Sequence, residues 1–383
     1  MSQTKTWRLI VAAILAIFVY GVIASLLGTI LPSLAHKLTL SEAQNGNIAL
    51  AQAIGLIIAS VSVGPLVDKR GKKVALLLGL ALIAIALFLL PAASGFSIVA
   101  ILMFLLGTGG GIVVTAANAL ASDIGEDRRA SVLNLLNLFF GLGGLVTPFV
   151  AANLMQGDKV QLSFAAGVLA AVTLAFHVMT PMPQPAPAAS SGPATSGTFS
   201  RPVLYLLALF LFLYVSCEVG VWNWLAKYLI ARGIEESRAL NILSLGFALG
   251  LLIGRVVVSR VLIKVHAVTV TLGAAILMVA TTYLMLQTSD PTVAWIAVFC
   301  AGIAMAPVFP TTLAMVGDAF PNAPATAMGF VITCGWVGLA VSSPIIGQVA
   351  GSSNLGTALL IIPAFSVAMI LVNLAIRPML HRA

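Results

Sequence analysis

The stretch GPLVDKRGKK, residues 64–73, is a short charged loop between two long apolar runs. The runs on either side, 43–66 and 74–92, are each about 20 residues long. That is the length an α-helix needs to cross the roughly 30 Å hydrocarbon core of a bilayer. We therefore interpret the two runs as neighbouring membrane helices joined at one bilayer surface.

The composition of the whole chain extends this interpretation. Of its 383 residues, 60% are hydrophobic and only 8% are charged, and the mean hydropathy is +1.11. Soluble domains carry roughly 25% charged residues, so the chain is predicted to be a polytopic membrane protein. Its net charge of +8 does not indicate a nucleic-acid partner, because the basic residues flank the apolar runs and orient them in the bilayer.

Cutting the sequence at charges, prolines and Gly/Ser clusters gives twelve apolar runs of membrane-spanning length. They lie near 8–31, 43–66, 74–92, 97–121, 130–153, 161–180, 203–229, 238–261, 267–287, 292–316, 325–349 and 356–376. Membrane β-strands would be about ten residues long with alternating polarity, and no such alternation occurs. The predicted fold class is therefore an all-α polytopic membrane protein with twelve transmembrane helices.

A segment rich in Pro, Ala, Ser and Gly divides the twelve runs into two blocks of six. It predicts an N-terminal six-helix bundle over 1–180, a cytoplasmic linker over 181–201 and a C-terminal six-helix bundle over 202–383. Both blocks have a proline late in their fifth run, Pro148 and Pro344. Two such pseudo-symmetric repeats are typical of secondary transporters. With both termini cytoplasmic, 14 Lys and Arg residues fall inside and 5 outside, which is the usual positive-inside bias.

The loop at 64–73 resembles the signature between helices two and three of the major facilitator superfamily, G-x-L-a-D-r-x-G-r-k. The matching residues are Gly64, Leu66, Asp68, Lys69, Gly71, Lys72 and Lys73. The resemblance implies a gating role for this loop, in which Asp68 latches one state with Arg128 or Arg129 as its partner. Gly64 and Gly71 would allow close helix contact and a tight turn. The alternative is a basic loop that only sets topology. The equivalent loop of the second half, GRVVVSR at 254–260, has no acid, which argues against a symmetric latch.

Shorter segments are similar to the branch that contains the fucose–proton symporter and the sodium-dependent glucose transporter. They are LNLLNLFFGLGGLVTP (133–148), GIAMAPVFPTTLA (302–314), the Gly254–Arg255 pair and the stretch around Glu218. This resemblance implies a monosaccharide substrate whose uptake is coupled to H⁺ or Na⁺. The fucose symporter pattern also uses acids within helices one and four. Neither run contains an internal acid in this sequence, so the resemblance does not imply the same proton relay here.

Glu218 is an acid deep within an apolar run, YVSCEVGVWNWLAKYL at 214–229. If the seventh run begins near 203, Glu218 lies about 22 Å along the helix. A charged acid at this depth is costly, so such residues usually face a cavity and mark functional sites. Tyr214 and Trp222 share its helical face, and an acid beside two aromatics suits a polyhydroxylated ligand. Glu218 could instead carry a proton, bind Na⁺, or have only a structural role beside Lys227.

Further polar residues within the runs complete the predicted binding site. They are Gln52, Asn118, Asn134, Asn137, Thr311 and Trp336. The three asparagines are predicted to lie in the inner half of the first block, where they could form one polar cluster, although neutral amides also hold helices together. Thr311 follows Pro310, where a broken helix could free carbonyl groups for an ion or a substrate. GTGGG, residues 107–111, lacks the Lys-Ser/Thr of a phosphate loop and is predicted to let helices pack closely.

No sequence pattern indicates catalysis, a metal site or a bound cofactor. The three cysteines and four histidines are not spaced for metal binding, and no nucleophile–base set or nucleotide-binding motif is visible. The sequence thus predicts a secondary active transporter, not an enzyme, that imports a small solute by alternating access with H⁺ or Na⁺ as the coupling ion. The alternatives are a proton-coupled exporter of lipophilic or cationic compounds on the same fold, and a non-transporting membrane sensor. We expect a monomer in a bacterial inner membrane, with both termini cytoplasmic and no nucleic-acid partner.

Overall fold

The computed structural model describes residues 3–124, 129–182, 198–262, 264–288, 290–320 and 324–380. Within these ranges, side chains are described except at 3–6, 64–65, 68–69, 122–124, 129–135, 259 and 324–326. The described residues form fourteen α-helices and no β-strand. The helices are α1 (Gln3–Leu38), α2 (Glu42–Leu89), α3 (Phe96–Ile124), α4 (Arg129–Asn153), α5 (Leu162–Met179), α6 (Pro202–Ala231), α7 (Glu236–Asn241), α8 (Leu249–Val261), α9 (Ala267–Gln287), α10 (Pro291–Met305), α11 (Val308–Ala319), α12 (Pro324–Ser352), α13 (Leu355–Leu359) and α14 (Ile361–Leu380).

Within the described residues, these helices supply twelve segments long and apolar enough to cross a bilayer. Helix α2 supplies all of Glu42–Val63 and most of Arg70–Ala92, whose last three residues form a 3₁₀ turn. Three other segments each combine two short helices: α7 with α8, α10 with α11, and α13 with α14. The predicted all-α class with twelve membrane helices is confirmed.

The first membrane helix is longer than the sequence pattern predicts. Its apolar run was expected to end near 31, before Pro32, but α1 continues to Leu38. Proline removes one helical hydrogen bond, yet membrane helices tolerate it because neighbouring groups satisfy the carbonyl that it frees. The prediction was wrong because it treated this proline as the end of the helix.

The loop at 64–73 is a sharp change of direction inside α2. Gly71 has φ 85° and ψ 161°, a left-handed conformation that glycine adopts without the steric cost of a Cβ atom. At its other end α2 begins with a capping box: the Ser41 hydroxyl accepts from the Gln44 amide at 3.2 Å, and the Gln44 side chain accepts from the Ser41 amide at 2.9 Å. These local features fix where the second and third membrane segments begin.

The chain divides into two compact units, Met1–Ala189 and Ser190–Ala383. The first contains α1 to α5 and the second contains α6 to α14, so each unit holds six of the twelve membrane segments. Of the predicted linker at 181–201, residues 183–197 lie outside the described residues.

The first unit packs closely through glycines. A Cβ atom on Gly107 would lie 1.9 Å from the backbone oxygen of Gln52, so α3 contacts α2 directly through its backbone. Helices α1 and α4 meet in the same way, because a Cβ on Gly21 would lie 2.1 Å from the Phe140 oxygen. Gly107 belongs to the GTGGG run, so the interpretation of that run as a close-packing surface is confirmed.

The second unit is built around α6. The side chains of Phe210, Tyr214 and Trp224 on this helix are fully buried, and α6 packs against α11, α12 and α14. Gly338 of α12 permits the closest approach, since a Cβ there would lie 2.3 Å from the Phe212 oxygen. Helix α6 is therefore the structural centre of its unit, and it carries Glu218.

A π-helical segment, Ile242–Ala248, connects α7 to α8 and lies beside α10. A Cβ on Gly250 would lie 2.3 Å from the Phe299 oxygen, and one on Gly302 would lie 2.4 Å from the Phe247 oxygen. This glycine contact presses the eighth segment against α10. Single-turn π-helical segments often occur at functional sites because they change which side chains face a neighbouring helix.

Candidate functional site

Glu218 lies close to the midpoint of α6, within the membrane segment Pro202–Ala231. Its side chain is half-buried. The adjacent Cys217 is fully buried and its thiol lies 3.4 Å from the Ile362 oxygen of α14. Gly220 packs against Ile362 as well, where a Cβ would come within 3.2 Å of its side chain. One face of α6 is thus fixed against α14, which sets the direction in which Glu218 projects.

The Glu218 carboxyl group faces three polar side chains. The Tyr214 hydroxyl and the Trp222 indole N–H, one helical turn before and after it on α6, are donors oriented toward the carboxyl group. The guanidinium of Arg255, on α8, lies within electrostatic reach of it. We call Tyr214, Glu218, Trp222 and Arg255 the α6–α8 polar group. It brings together a carboxyl group, a cationic guanidinium and two neutral hydrogen-bond donors at membrane depth.

Tyr214 is the member of this group whose hydrogen bonding is incomplete. Its hydroxyl is fully buried and makes no hydrogen bond of ordinary distance and angle among the described residues, although it lies in the fields of Glu218 and Arg255. A buried donor without a partner is costly. The Tyr214 hydroxyl and the Glu218 carboxyl group are therefore neighbours that are not fully aligned as a hydrogen bond.

Trp222 and Arg255 are positioned by the eighth membrane segment. The Trp222 ring lies edge-on to Phe247 of the π-helical segment, with ring centroids 5.1 Å apart at an interplanar angle of 76°. Gly254 packs against α10, where a Cβ would lie 2.6 Å from that of Ala306. The next residue, Arg255, is turned by about 100° around the helix from this contact. The glycine contact and the π-helical turn together orient Arg255 toward α6.

This group can bind hydroxyl groups. A carboxylate accepts hydrogen bonds, whereas a guanidinium, an indole N–H and a phenol donate them. A polyhydroxylated solute both donates and accepts, so it could satisfy all four side chains at once. The same carboxyl group could take up a proton or bind Na⁺. Among the described residues, no group of three or more His, Cys, Asp or Glu lies close enough together to hold a metal ion.

Two further predicted residues of the second unit, Thr311 and Trp336, are not joined to this group by any described hydrogen bond or ring contact. Thr311 is buried on α11, and its hydroxyl has no hydrogen-bond partner among the described residues. Trp336 is half-buried on α12. Asn223, the residue after Trp222, bonds instead to the Ser343 hydroxyl of α12 at 3.3 Å. The roles of Thr311 and Trp336 stay predictions.

In the first unit, the predicted amides lie on three different helices. Gln52 on α2 is half-buried, and Asn137 on α4 is exposed. The side chain of Asn118 on α3 donates to the Val114 oxygen of its own helix at 2.7 Å. The side chain of Asn134 lies outside the described residues. A shared asparagine cluster stays a prediction, because no described contact tests it.

Arg128 lies outside the described residues, and the side chains of most other predicted gating residues are not described. Gly64 and Asp68 are described only as part of α2, and Arg129 only as the first residue of α4. Gly71 is described, and its positive φ supports the expected tight turn. The proposed latch therefore stays a prediction.

Arg255 is the functional candidate that the sequence analysis missed. It lies within the eighth predicted run, at 238–261, but was counted among the basic residues that orient the chain. The missed signal is a basic residue flanked by LLIG and VVVS, inside a run and adjacent to a packing glycine. A cation in such a position needs a partner, and the structure supplies Glu218.

The chain resembles proteins of known sequence at low identity. It is 21% identical over 276 residues to Bypass of stop codon protein 6 of Saccharomyces cerevisiae, covering 64% of this chain and 55% of that protein. It is 24% identical over 343 residues to Sodium-dependent glucose transporter 1A of Mus musculus, covering 77% and 79% of the two chains. The chain thus spans only about half the length of the yeast relative.

Solved structures show the same fold over nearly the whole chain. A D-xylose-proton symporter superimposes with a TM-score of 0.80 at 15% identity, covering 97% of both chains. The nucleoside transporter NupG gives 0.79 at 12% identity, covering 98% of this chain and 99% of that one. The E. coli fucose:proton symporter FucP gives 0.63 at 18% identity, covering 96% and 98%.

The family assignment rests on the sequence. The pattern of the Major Facilitator Superfamily matches residues 13–343, which is most of the chain. The chain therefore belongs to the Major Facilitator Superfamily and is an integral membrane protein.

Proposed function

We propose that the chain is a secondary active importer of a monosaccharide, working by alternating access, with Glu218 at the centre of its substrate or coupling-ion site. The observation that carries the proposal is the α6–α8 polar group. An acid, a guanidinium, an indole and a phenol meet at mid-membrane. Charged groups are costly there, so those that occur usually serve a function.

The chemistry of the group favours a neutral, hydroxyl-rich solute. Arg255 offsets the negative charge of Glu218, so the site has no excess charge to recruit an ion as substrate. Tyr214 and Trp222 are buried in this structure; in a state open to substrate they would supply apolar surface for a sugar ring, and the polar groups would supply hydrogen bonds. The names of the mouse glucose transporter and of the xylose and fucose symporters agree with this class, and the name of NupG makes a nucleoside the nearest alternative.

Coupling to an ion would act through Glu218. Uptake of H⁺ by the carboxyl group, or binding of Na⁺ beside it, would neutralise its charge and weaken its attraction to Arg255. The freed guanidinium could then donate to substrate hydroxyls, so ion and substrate would each favour the other's binding. The cofactor-free, monomeric form and the bacterial inner-membrane location with cytoplasmic termini are part of the same proposal.

The exporter of cationic compounds is the weaker candidate. Such a protein would use Glu218 as a counter-charge for its substrate. Arg255 lies within electrostatic reach of the same carboxyl group, and its positive charge would repel a cation from that position.

The test is uptake of labelled monosaccharides into proteoliposomes with an imposed H⁺ or Na⁺ gradient. Wild-type protein is compared with Glu218→Gln and with Glu235→Gln, a matched change at an exposed acid beyond the end of α6. We expect wild-type accumulation with one of the two gradients. We expect a loss of about tenfold or more for Glu218→Gln, equivalent to about 1.4 kcal/mol, and a change below about twofold for Glu235→Gln.

Sugar exchange without a gradient separates the two roles of Glu218. Exchange retained in Glu218→Gln assigns it to ion coupling, and exchange lost in a folded variant assigns it to substrate binding. If the folded wild-type protein moves no sugar under either gradient, the monosaccharide proposal is wrong. A nucleoside panel and a cation-efflux assay then decide between the alternatives.

A further inference from the structure

A groove lies at the end of the eighth membrane segment, away from the α6–α8 polar group. It has a volume of about 790 Å³. The lining residues are Val256, Val257, Arg260, Val261, Lys264 and Val265. All six belong to the end of α8 and the turn that follows, where the amides of Lys264 and Val265 both donate to the Val261 oxygen at 3.0 Å. Four valines and two cations thus share one surface.

The groove lies where a bilayer changes from hydrocarbon to headgroups. Helix α8 ends at Val261, with Arg260 in its last turn. Val256 and Val257, one turn earlier, are 57% and 50% exposed, and Arg260 is exposed as well. Apolar side chains on one side of this boundary and cations on the other match the two parts of a phospholipid.

The two cations have no protein partner among the described residues. Neither Arg260 nor Lys264 makes an ion pair or a side-chain hydrogen bond there. The sequence offers no nearby acid either, because no Asp or Glu occurs between Glu236 and Asp290. The corresponding loop of the first half carries Asp68 among its bases. Among the described residues, Arg260 and Lys264 therefore have no acidic partner.

We propose that this groove binds an anionic phospholipid. Arg260 donates to the phosphate oxygens in the forked geometry of a guanidinium, and Lys264 adds a second positive charge. An acyl chain covers Val256, Val257 and Val261. A protein partner does not fit this position, because the exposed valines lie at the depth of the lipid tails. This inference does not depend on which solute the protein transports.

The test is native mass spectrometry of the purified full-length protein in neutral detergent, titrated with phosphatidylglycerol or with phosphatidylcholine. A basic side chain near an anionic lipid contributes about 1 kcal/mol, or roughly fivefold in affinity. We expect each of Arg260→Gln and Lys264→Gln to weaken phosphatidylglycerol binding about fivefold, and the double variant about 25-fold. The matched control, Arg377→Gln, removes an exposed arginine near the end of α14 and should change binding less than about twofold.

Three results would overturn the proposal. They are equal affinity for phosphatidylglycerol and phosphatidylcholine, unchanged binding in the double variant, and inorganic phosphate displacing the lipid at millimolar concentration, which would indicate a site for free anions. Arg260→Lys keeps the charge and is expected to retain binding within about threefold. It therefore reports on the charge even if the Gln variants fold poorly.

Discussion

The two units use polar side chains in different ways within the membrane. In the first unit, the described polar side chains inside the segments mainly bond to their own helix. Thr108 donates to the Phe104 oxygen at 2.8 Å, and Asn118 donates to the Val114 oxygen at 2.7 Å. Contact between helices depends instead on glycine, as at Gly107. A polar group satisfied within its helix adds no contact to another helix.

In the second unit, several polar side chains connect different helices, in addition to the glycine contacts at Gly250, Gly302 and Gly338. Asn223 of α6 bonds to Ser343 of α12 at 3.3 Å, and the Tyr228 hydroxyl of α6 donates to the Leu286 oxygen of α9 at 2.7 Å. The one described acid at the centre of a membrane segment, Glu218, also belongs to this unit. Such contacts hold α6 in a defined orientation. The first unit is organised mainly by close backbone packing.

The largest effect on stability is expected at Arg255. Replacing it by Met leaves the Glu218 carboxylate without its opposite charge, and an unpaired charge at the centre of a membrane helix costs about 3 kcal/mol. We expect Arg255→Met to lower the free energy of unfolding by about that amount at pH 8. Unfolding in detergent–SDS mixtures at pH 8 measures it.

The double variant Glu218→Gln/Arg255→Met is the control for this prediction. It removes both charges and should recover most of the lost stability, because the single variant is penalised by the charge left unpaired. Equal stability of the single and double variants would contradict an electrostatic contact between α6 and α8.

The fold was predictable because the length of an apolar run determines whether it can cross a bilayer. The run at 203–229 became the segment Pro202–Ala231, and the run at 267–287 became Ala267–Gln287. Helix ends were less predictable, because the tendency of proline to end a helix competes with packing against neighbouring helices. Pro32 lies inside α1, because a helix surrounded by other helices can continue past a proline.

The candidate site was predictable only in part. Glu218 stands out in the sequence because a lone acid in an apolar run is costly, and Tyr214 and Trp222 follow from helical spacing. Arg255 could not be assigned this way. Its position relative to Glu218 depends on the π-helical segment, which contacts α6, and on the packing of α8 against α10 through Gly250 and Gly254. Sequence spacing predicts neighbours along a helix, but not which two helices meet.

A medium effect is expected at a backbone contact of the first unit. Gly107→Ala would place a Cβ 1.9 Å from the Gln52 oxygen, so α2 and α3 must move apart. Overpacking of this kind costs about 1–3 kcal/mol. Gly273→Ala is the matched control, because a Cβ on this α9 residue has no neighbour within 4 Å, and alanine favours a helix by about 0.5–1 kcal/mol. Thermal unfolding in detergent should show opposite shifts, and equal shifts would contradict glycine-mediated packing.

The smallest expected effect is the coupling across the Asn223–Ser343 hydrogen bond. Hydrogen bonds between membrane helices contribute about 0.6 kcal/mol on average, so a double-mutant cycle of Asn223→Ala and Ser343→Ala should give a coupling near that value. Asn118→Ala combined with Ser343→Ala is the control. The described bond of Asn118 goes to its own helix, so its effect should add to that of Ser343→Ala with no coupling. If both cycles gave the same coupling, the Asn223–Ser343 hydrogen bond would not stabilise the contact between α6 and α12. A coupling confined to the Asn223 cycle would indicate that α6 is held in place by its polar side chains as well as by packing.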